Sequence, residues 1–378
     1  MIRILHCADF HLDSSFAAIG FPNTVARKYR EALREALVRI VDLALERKVD
    51  AITIAGDLYE QERFTRDTGE FLRGQFQRAA PVRVFVAPGN HDPWMPESLY
   101  QYLTWPQNVT LFQTSEFSPA DLAPGVKLWG MAHLSLADKR NPVEGFKASG
   151  QEKHILLFHG SDLSNIPAGQ KAHAPFDLED LAATGAHLVL LGHYHGARPG
   201  EEAGFKYVYP GSPEPLGFRE TGEHTAALIS IDEDTLDIAT IPTNRYRFVQ
   251  LRVDVSGLRT REEIKNRIGQ EATEHGGDTT FLRVELEGQL PPETELDLAI
   301  LQEHINSFCV HGQLLDRTRP TYDFERIARE KTVRGEYVRK IHEMLKDADE
   351  EERVKLRQAL VYGLNAFERH EIFPASQS

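Results

Sequence analysis

The chain has 378 residues, 41% hydrophobic and 26% charged, and its 43 Lys and Arg against 57 Asp and Glu give a formal charge of −14; that length suits two or three domains. The acidic excess argues against a passive DNA coat, which needs a broad basic surface, but not against an enzyme whose bound cations create a local positive site. Two cysteines, Cys7 and Cys309, exclude a disulfide scaffold and point to a reducing, cytoplasmic compartment, and with no signal-peptide pattern at the start and no apolar run near the roughly 20 residues that span a bilayer, no membrane association is expected.

Ile2 to Ala8 reads as a strand. Apolar residues at helical spacing predict a helix over 26–48, with Asn23 or Thr24 as its cap. Val49–Ala55 is a buried strand ending at Gly56-Asp57, and Val82–Ala87 repeats the pattern, ending at Gly89-Asn90-His91-Asp92. Further strands are predicted at Val109–Phe112, Val126–Met131 and Ile155–Phe158, and at Leu188–Leu191, which runs into Gly192-His193-Tyr194-His195. Lys206–Tyr209, Ala226–Ile231 and Leu236–Ile241 read as consecutive antiparallel strands with tight turns. Helix-linked strands followed by hairpins predict an α/β (α-β-β-α) domain over 1–245, two packed sheets flanked by helices. A small α+β unit follows over 246–322: strand Phe248–Val255, helix Arg261–Glu274, strand Thr280–Leu286 and helix Leu296–Phe308. The segment 323–378 reads as helical and net neutral, with apolar sets Val333, Tyr337, Ile341, Leu345 and Val354, Leu356, Leu360, Leu364, Phe367.

Polar residues cluster just beyond the strands. Asp9, His11, Asp57, Asn90, His159, His193 and His195 all follow apolar runs, and ligands of open α/β sheets bind beyond the carboxyl ends of strands. Seven donors are too many for one ion and suit two if one carboxylate bridges; Asp57 is the natural bridge. If strand geometry persists, Asp9 and His11, spaced i and i+2, face one ion, and His193 and His195 do likewise. A mixed imidazole and oxygen set without thiolate suits manganese, iron or zinc better than magnesium. His133, His154, His173, His187 and His224 lack any motif and read as structural or exposed. Cys7 reads as a buried core thiol, and Tyr194 as packing away from the two histidines beside it.

These runs resemble the five motifs of the calcineurin-like metallophosphoesterases. Three features narrow the resemblance to the DNA-repair exonuclease branch, typified by the nuclease subunit of the SbcCD complex. They are the opening His6-Cys7-Ala8-Asp9-Phe10-His11-Leu12-Asp13, the loop Tyr209-Pro210-Gly211-Ser212-Pro213 followed by Phe218, and the extra domain after residue 245, which would be a capping domain. The resemblance implies a two-metal phosphodiesterase acting on DNA in repair and recombination. The alternative is a small-molecule phosphodiesterase or phosphomonoesterase with the same dinuclear site. Asp9, His11, Asp57 and His195 would hold one divalent ion, most readily manganese, and Asp57, Asn90, His159 and His193 the other. His91 would face the scissile phosphate, and Asp92 would accept its ring N–H. The chain departs from relatives at Asp13, often Gly, and at Glu60, where several carry a His or Asp that helps place the phosphate.

DNA contact is expected from Arg27, Lys28, Arg30 and Arg34 on the first helix, and from Arg63, Arg66, Arg73 and Arg78 after the second motif; a solvated helix face is the alternative for both sets. Gly211 and Ser212 would bring backbone N–H groups to the site or simply form a turn. The C-terminal helices would dock an ABC-type ATPase with coiled-coil arms, mediate a homodimer, or pack on the chain's own core.

Overall fold

The computed structural model describes residues 1–166, 171–291, 294 and 296–369. It divides into two compact units, Met1–Phe248 and the chain from Val249 onward. The first contains β1 (Ile2–Cys7), α1 (Asn23–Glu46), β2 (Ala51–Ile54), α2 (Arg66–Ala79), β3 (Arg83–Val86), α3 (Leu99–Tyr102), β4 (Val109–Leu111), β5 (Ser118–Ala123), β6 (Val126–Gly130), β7 (Lys153–His159), α4 (Leu178–Ala182), β8 (Leu188–Gly192), β9 (Arg198–Glu202), β10 (Phe205–Tyr209), β11 (Thr225–Ile231) and β12 (Leu236–Pro242).

Two six-stranded sheets form, in the orders β12-β11-β1-β2-β3-β4 and β5-β6-β7-β8-β10-β9. Strands β1 to β4 run parallel, as do β6, β7, β8 and β10, so their carboxyl ends share an edge within each sheet. Parallel strands buried on both faces read as unbroken apolar runs, and the core explains why. Ile4, Ala51, Phe85 and Ile229 of the first sheet interleave with Leu128, Ile155, Leu157, Leu190 and Val208 of the second. On the outer face of the second sheet, Leu156, Phe158, Val189 and Leu191 pack with Met131, Val143, Phe176, Leu181 and Tyr194. Leu5, Cys7, Ile52 and Ile54 are as buried as their strand neighbours, so the first sheet is covered on both faces too.

Two sequence expectations fail. Helix α1 starts at Asn23 with Pro22 at the cap position and no side-chain cap; Pro22 contributes its carbonyl, which accepts the Ala26 N–H at 2.9 Å. The three late strands are not a run of hairpins. Strand β10 pairs parallel with β8 and antiparallel with β9 in the second sheet, whereas β11 and β12 form a hairpin on the first. The chain changes sheets across 210–224. The edge strands β5 (SPADLA) and β9 (RPGEE) had no apolar signature because proline and charge suit an edge that must not recruit another strand.

The second unit contains β13 (Arg247–Asp254), α5 (Arg261–His275), β14 (Gly277–Glu287), β15 (Gln289–Leu290), α6 (Leu298–Asn306), β16 (Cys309–Asp316), β17 (Arg319–Pro320), α7 (Phe324–Ala328), α8 (Val333–Asp347) and α9 (Glu350–Arg369). A β13-β14-β16 sheet carries α5 and α6 over a core of Val253, Ile264, Ile268, Leu282, Val284, Leu301 and Ile305. The last three helices close their own small core of Tyr322, Ile327, Val338, Ile341, Leu360 and Leu364, leaving Val333, Val354 and Phe367 exposed. Residues 370–378, the end of the expected tail, lie outside the described residues. No helix among the described residues is long and apolar enough to cross a membrane.

Leu190 is fully buried between the two sheets. Leu190→Ala is therefore expected to destabilise the first unit by about 2–5 kcal/mol, read as a lowered urea midpoint at unchanged slope.

Candidate metal centre

The strands stop short of the donors. β1 ends at Cys7 and β8 at Gly192, and the chain then turns through left-handed conformations at Asp9 (φ 57°), His11 (48°), Asp57 (52°) and His193 (114°). Such torsions in non-glycine residues each cost about 1–3 kcal/mol and persist only where the surroundings enforce them. Here the enforcement is visible. Asp9 donates its N–H to Gly56 O (3.1 Å), His11 to Asp57 O (2.9 Å) and Leu12 to Leu58 O (3.1 Å), zipping the first two loops together. His193 N–H donates to the Asp9 carboxylate at 3.0 Å. Gly89 sits so close to the Asp57 carboxylate that a methyl group there would collide with Oδ1.

This backbone overturns the expectation of i, i+2 strand geometry. Asp9 and His11 do share one group, but with His195; His193 joins Asp57 and His159 in another. The two histidines of Gly-His-Tyr-His thus part company, because strand β8 has ended and His193 turns. Tyr194 between them packs into the outer core, its hydroxyl donating to Asp162 O at 2.8 Å.

The donor atoms converge. His11 Nε2 lies 3.2 Å from His195 Nε2, and His159 Nε2 lies 3.1 Å from His193 Nδ1 and 3.0 Å from Asn90 Oδ1. Asp57 Oδ2 is 3.7 Å from His11 Nε2 and 3.3 Å from His159 Nε2, so one carboxylate oxygen faces both groups. Its other oxygen accepts the His91 N–H at 2.8 Å.

The residues fit divalent cations. Two imidazole nitrogens facing each other at 3.1–3.2 Å cannot both carry a proton on that line, so at least one lone pair of each pair is directed at nothing but its neighbour. His193 Nε2 is buried without a partner, and burial holds that ring down at about 2. Burial pushes Asp9 up, as expected of a carboxylate without a cation. At Asp57, burial works the same way and is the largest single influence, but His159, His91 and His11 together outweigh it and keep the carboxyl well below its usual range. At His159 and His195, burial is in turn outweighed by neighbouring carboxylates, and both are held at about 9. Those protons occupy the positions that cations would take, and cation binding would release them.

Three of the four converging rings are aimed from behind. His11 Nδ1 pairs with Glu60 Oε1 (2.8 Å), His195 Nδ1 with Glu220 Oε1 (2.7 Å), and His159 Nδ1 with Ala55 O (2.9 Å). Such partners fix the tautomer and leave the other nitrogen's lone pair for a metal. Glu220 also accepts the Leu216 N–H at 2.7 Å. The sheet-changing segment delivers it, and sequence reading missed it because nothing in Phe218-Arg219-Glu220 marks it as a partner of His195. The Ser212 N–H is taken by His195 O at 3.1 Å, so it braces a donor residue and is not offered to a substrate.

His91 differs from expectation in its partner. Its Nδ1 lies 2.9 Å from Glu60 Oε2, so the residue that departs from the motif holds both His11 and His91. Asp92 does not orient His91. It is fully buried and accepts the N–H groups of Asp57 (2.9 Å), Leu58 (2.8 Å) and Gly89 (2.7 Å) and the Tyr100 hydroxyl (2.6 Å). Burial works against the His91 imidazolium, but the Glu60 hydrogen bond and the charges on Asp57, Glu60 and Asp92 outweigh it and hold the ring at about 9. Glu60 itself, against its own burial, is held down at about 2 by His11 and His91.

A cleft of about 520 Å³ opens over the donors, with Ser14, Lys171, His173 and Leu216 at its margin. His173 lies there with its ring 5.6 Å from that of His193, although sequence reading took it as structural or exposed. Arg27, Lys28, Arg30 and Arg34 do not line this cleft. Arg34 is bound to Asp67 and Thr68, and Arg30 reaches Ser14 O; Arg73 and Arg78 pair with Glu70 and Asp42.

With this geometry in hand, three comparisons bear on the chain. The calcineurin-like phosphoesterase family matches residues 2–197. The uncharacterized metallophosphoesterase YhaO of Bacillus subtilis is 27% identical over 242 residues, which is 61% of this chain and 57% of that protein. The DNA double-strand break repair protein Mre11 of Haloferax volcanii is 26% identical over 335 residues, 86% of this chain and 69% of that protein. Among solved structures, a dimetal phosphatase from Danio rerio aligns over 64% of this chain and 96% of its own with 12% identity and a TM-score of 0.43.

Glu220→Gln is expected to weaken manganese binding at the Asp9–His11–His195 group by about 10–100-fold, since an amide can no longer accept the ring N–H as an anion. Asp57→Asn is expected to reduce binding below two ions per chain. Calorimetric titration of each variant with manganese checks both, and wild-type isotherms would overturn the assignment of donors.

Proposed function

The chain belongs to the calcineurin-like phosphoesterase family, and from that membership we propose that it is a manganese-dependent DNA phosphodiesterase, an exonuclease or endonuclease of the SbcD type. Hydrolysis of phosphoester bonds at a two-metal site goes with the family. The DNA reading is carried by one observation: similarity to Mre11 of H. volcanii extends over 86% of this chain, well past the 2–197 that the family match covers and into the second unit. A cytoplasmic location and an ABC-type ATPase partner belong to the same reading. The exposed Val333, Val354 and Phe367 on α8 and α9 would supply part of the docking face.

Bound divalent ions would neutralise the phosphate's charge and acidify a water at neutral pH. The chain's own residues do the rest. Asp57 would be shared between the two ions, with Asp9, His11 and His195 on one side and Asn90, His159 and His193 on the other. The Asn90 amide adds an oxygen donor without adding negative charge. Glu60 takes the Nδ1 side of His91 and leaves Nε2–H for a non-bridging phosphate oxygen or the departing alkoxide. A ring held at about 9 carries that proton at neutral pH, as a general acid must. The mixture of nitrogen and oxygen donors without thiolate suits manganese, iron or zinc, and of these we propose manganese.

Purified chain supplied with manganese is expected to degrade end-labelled linear DNA and to hydrolyse a nucleotide monoester far more slowly. The reverse order of rates would favour a small-molecule phosphoesterase. His91→Ala is expected to lower kcat by about 10²–10⁴-fold while two manganese ions still bind. Loss of one metal equivalent would make His91 a ligand instead.

A further inference from the structure

The cleft over the donors does not end at them. Ser14, Glu60 and Leu216 are shared with a second cavity of about 230 Å³, whose further walls include Ser15, Ile19 and Arg63. The two spaces therefore adjoin, and Glu60, which holds His11 and His91, forms the boundary. Whatever sits on the second cavity's floor is next to the group that faces the scissile phosphate.

Arg63 is the basic residue on this cavity's wall. Arg34, Arg73 and Arg78 on α1 and α2 are paired, with Asp67, Glu70 and Asp42; Arg27 and Arg66 are not, among the described residues, but they do not line the cavity. The Arg63 guanidinium has no hydrogen bond or ion pair among the described residues, and the residue is exposed. Its backbone N–H donates to Glu60 O at 3.0 Å, which fixes it one turn from the carboxylate that aims His91. An unpaired cation beside a metal site in a chain of net charge −14 suits a second anion. A phosphomonoester or a simple diester has one phosphate, which the metal donors would take. A polynucleotide brings another phosphate one residue along. Beside Arg63, the Ser15 hydroxyl and the half-buried Ile19 and Leu216 offer polar and apolar contact to a sugar and the edge of a base.

We propose that this second cavity is a subsite for the nucleotide adjoining the scissile phosphate, with Arg63 holding that nucleotide's own phosphate. The inference rests on the nuclease reading and narrows it to a polyanionic substrate that spans at least two phosphates. Arg63 acts by binding and positioning, since it touches neither the metal donors nor the scissile phosphate.

The test uses the full chain with manganese and two substrates, bis(p-nitrophenyl) phosphate and a single-stranded oligodeoxynucleotide. Binding of the same oligonucleotide is followed by fluorescence anisotropy in EDTA across a salt series. Arg63→Gln is expected to lower the ratio of kcat/KM for oligonucleotide over diester by about tenfold, and to flatten the slope of log affinity against log salt by about 0.7, the loss of one phosphate contact on a single strand. Arg63→Lys should restore the slope. Ala18→Trp, which fills the cavity but keeps Arg63, should lower the same ratio. An unchanged ratio and slope in Arg63→Gln, with wild-type cleavage of the oligonucleotide intact, would overturn the subsite and leave the nuclease reading standing. Equal losses on both substrates would also overturn it, by showing that Arg63 supports the metal centre or the fold. If the wild-type chain hydrolyses the diester but neither binds nor cleaves the oligonucleotide, the nuclease reading fails and the subsite with it.

Discussion

One buried carboxylate holds the site in register. Asp92 accepts three backbone N–H groups and a tyrosine hydroxyl, from the loop after β2, the loop after β3 and α3. Burial and the neighbouring Asp57 charge push its carboxyl up to about 7, yet four hydrogen bonds, each worth about 0.5–1.5 kcal/mol even when uncharged, act on one residue and tie the two loops together as one body. Asp57 rides on that body through its own N–H, and its side chain accepts from the His91 N–H. The distance between the oxygen that both donor groups share and the imidazole that faces the cleft is thus set by Asp92 without its touching either group's open face.

Around this brace the site is a problem in charge. Asp9, Asp57, His11 and His159 are buried and His193 and His195 half-buried beside them, a placement that is costly unless something positive joins them. In the chain alone, protons fill that need, on His159 and His195. Glu60 and Glu220 reinforce the preference from outside, each bound to the far nitrogen of a converging ring. The arrangement therefore couples proton loss to cation uptake, and it biases both toward the same nitrogens.

Much of this was legible in the sequence because the first unit is built of strands buried on both faces. Continuous runs such as Leu188–Leu191 need no partner to be recognised, and a polar residue at the end of such a run is conspicuous. The sorting of donors was not legible from spacing. It depends on where each strand stops: β8 ends at Gly192 and the turn at His193 parts that ring from His195, whereas Asp9 and His11 stay in one group although β1 has ended at Cys7. Glu220 and the true partner of His91 were hidden for a different reason: each is a contact across tens of residues, made by a segment that changes sheets or by Glu60, one of two positions that depart from the family pattern. The edge strands β5 and β9 escaped notice because an edge is made of residues that discourage pairing.

The left-handed torsions at His11 and His193 carry an evolutionary consequence. A side chain at those angles carries strain that glycine does not. A lineage released from selection for chemistry would gain stability by drifting toward glycine at both positions, while the fold around them stayed intact. Decay of function would then precede decay of architecture, and inactive descendants would be recognisable by an unchanged two-sheet frame with small residues where the imidazoles had been. Conversely, persistence of histidine at these two angles marks a chain in which stability has been yielded to the work of the site.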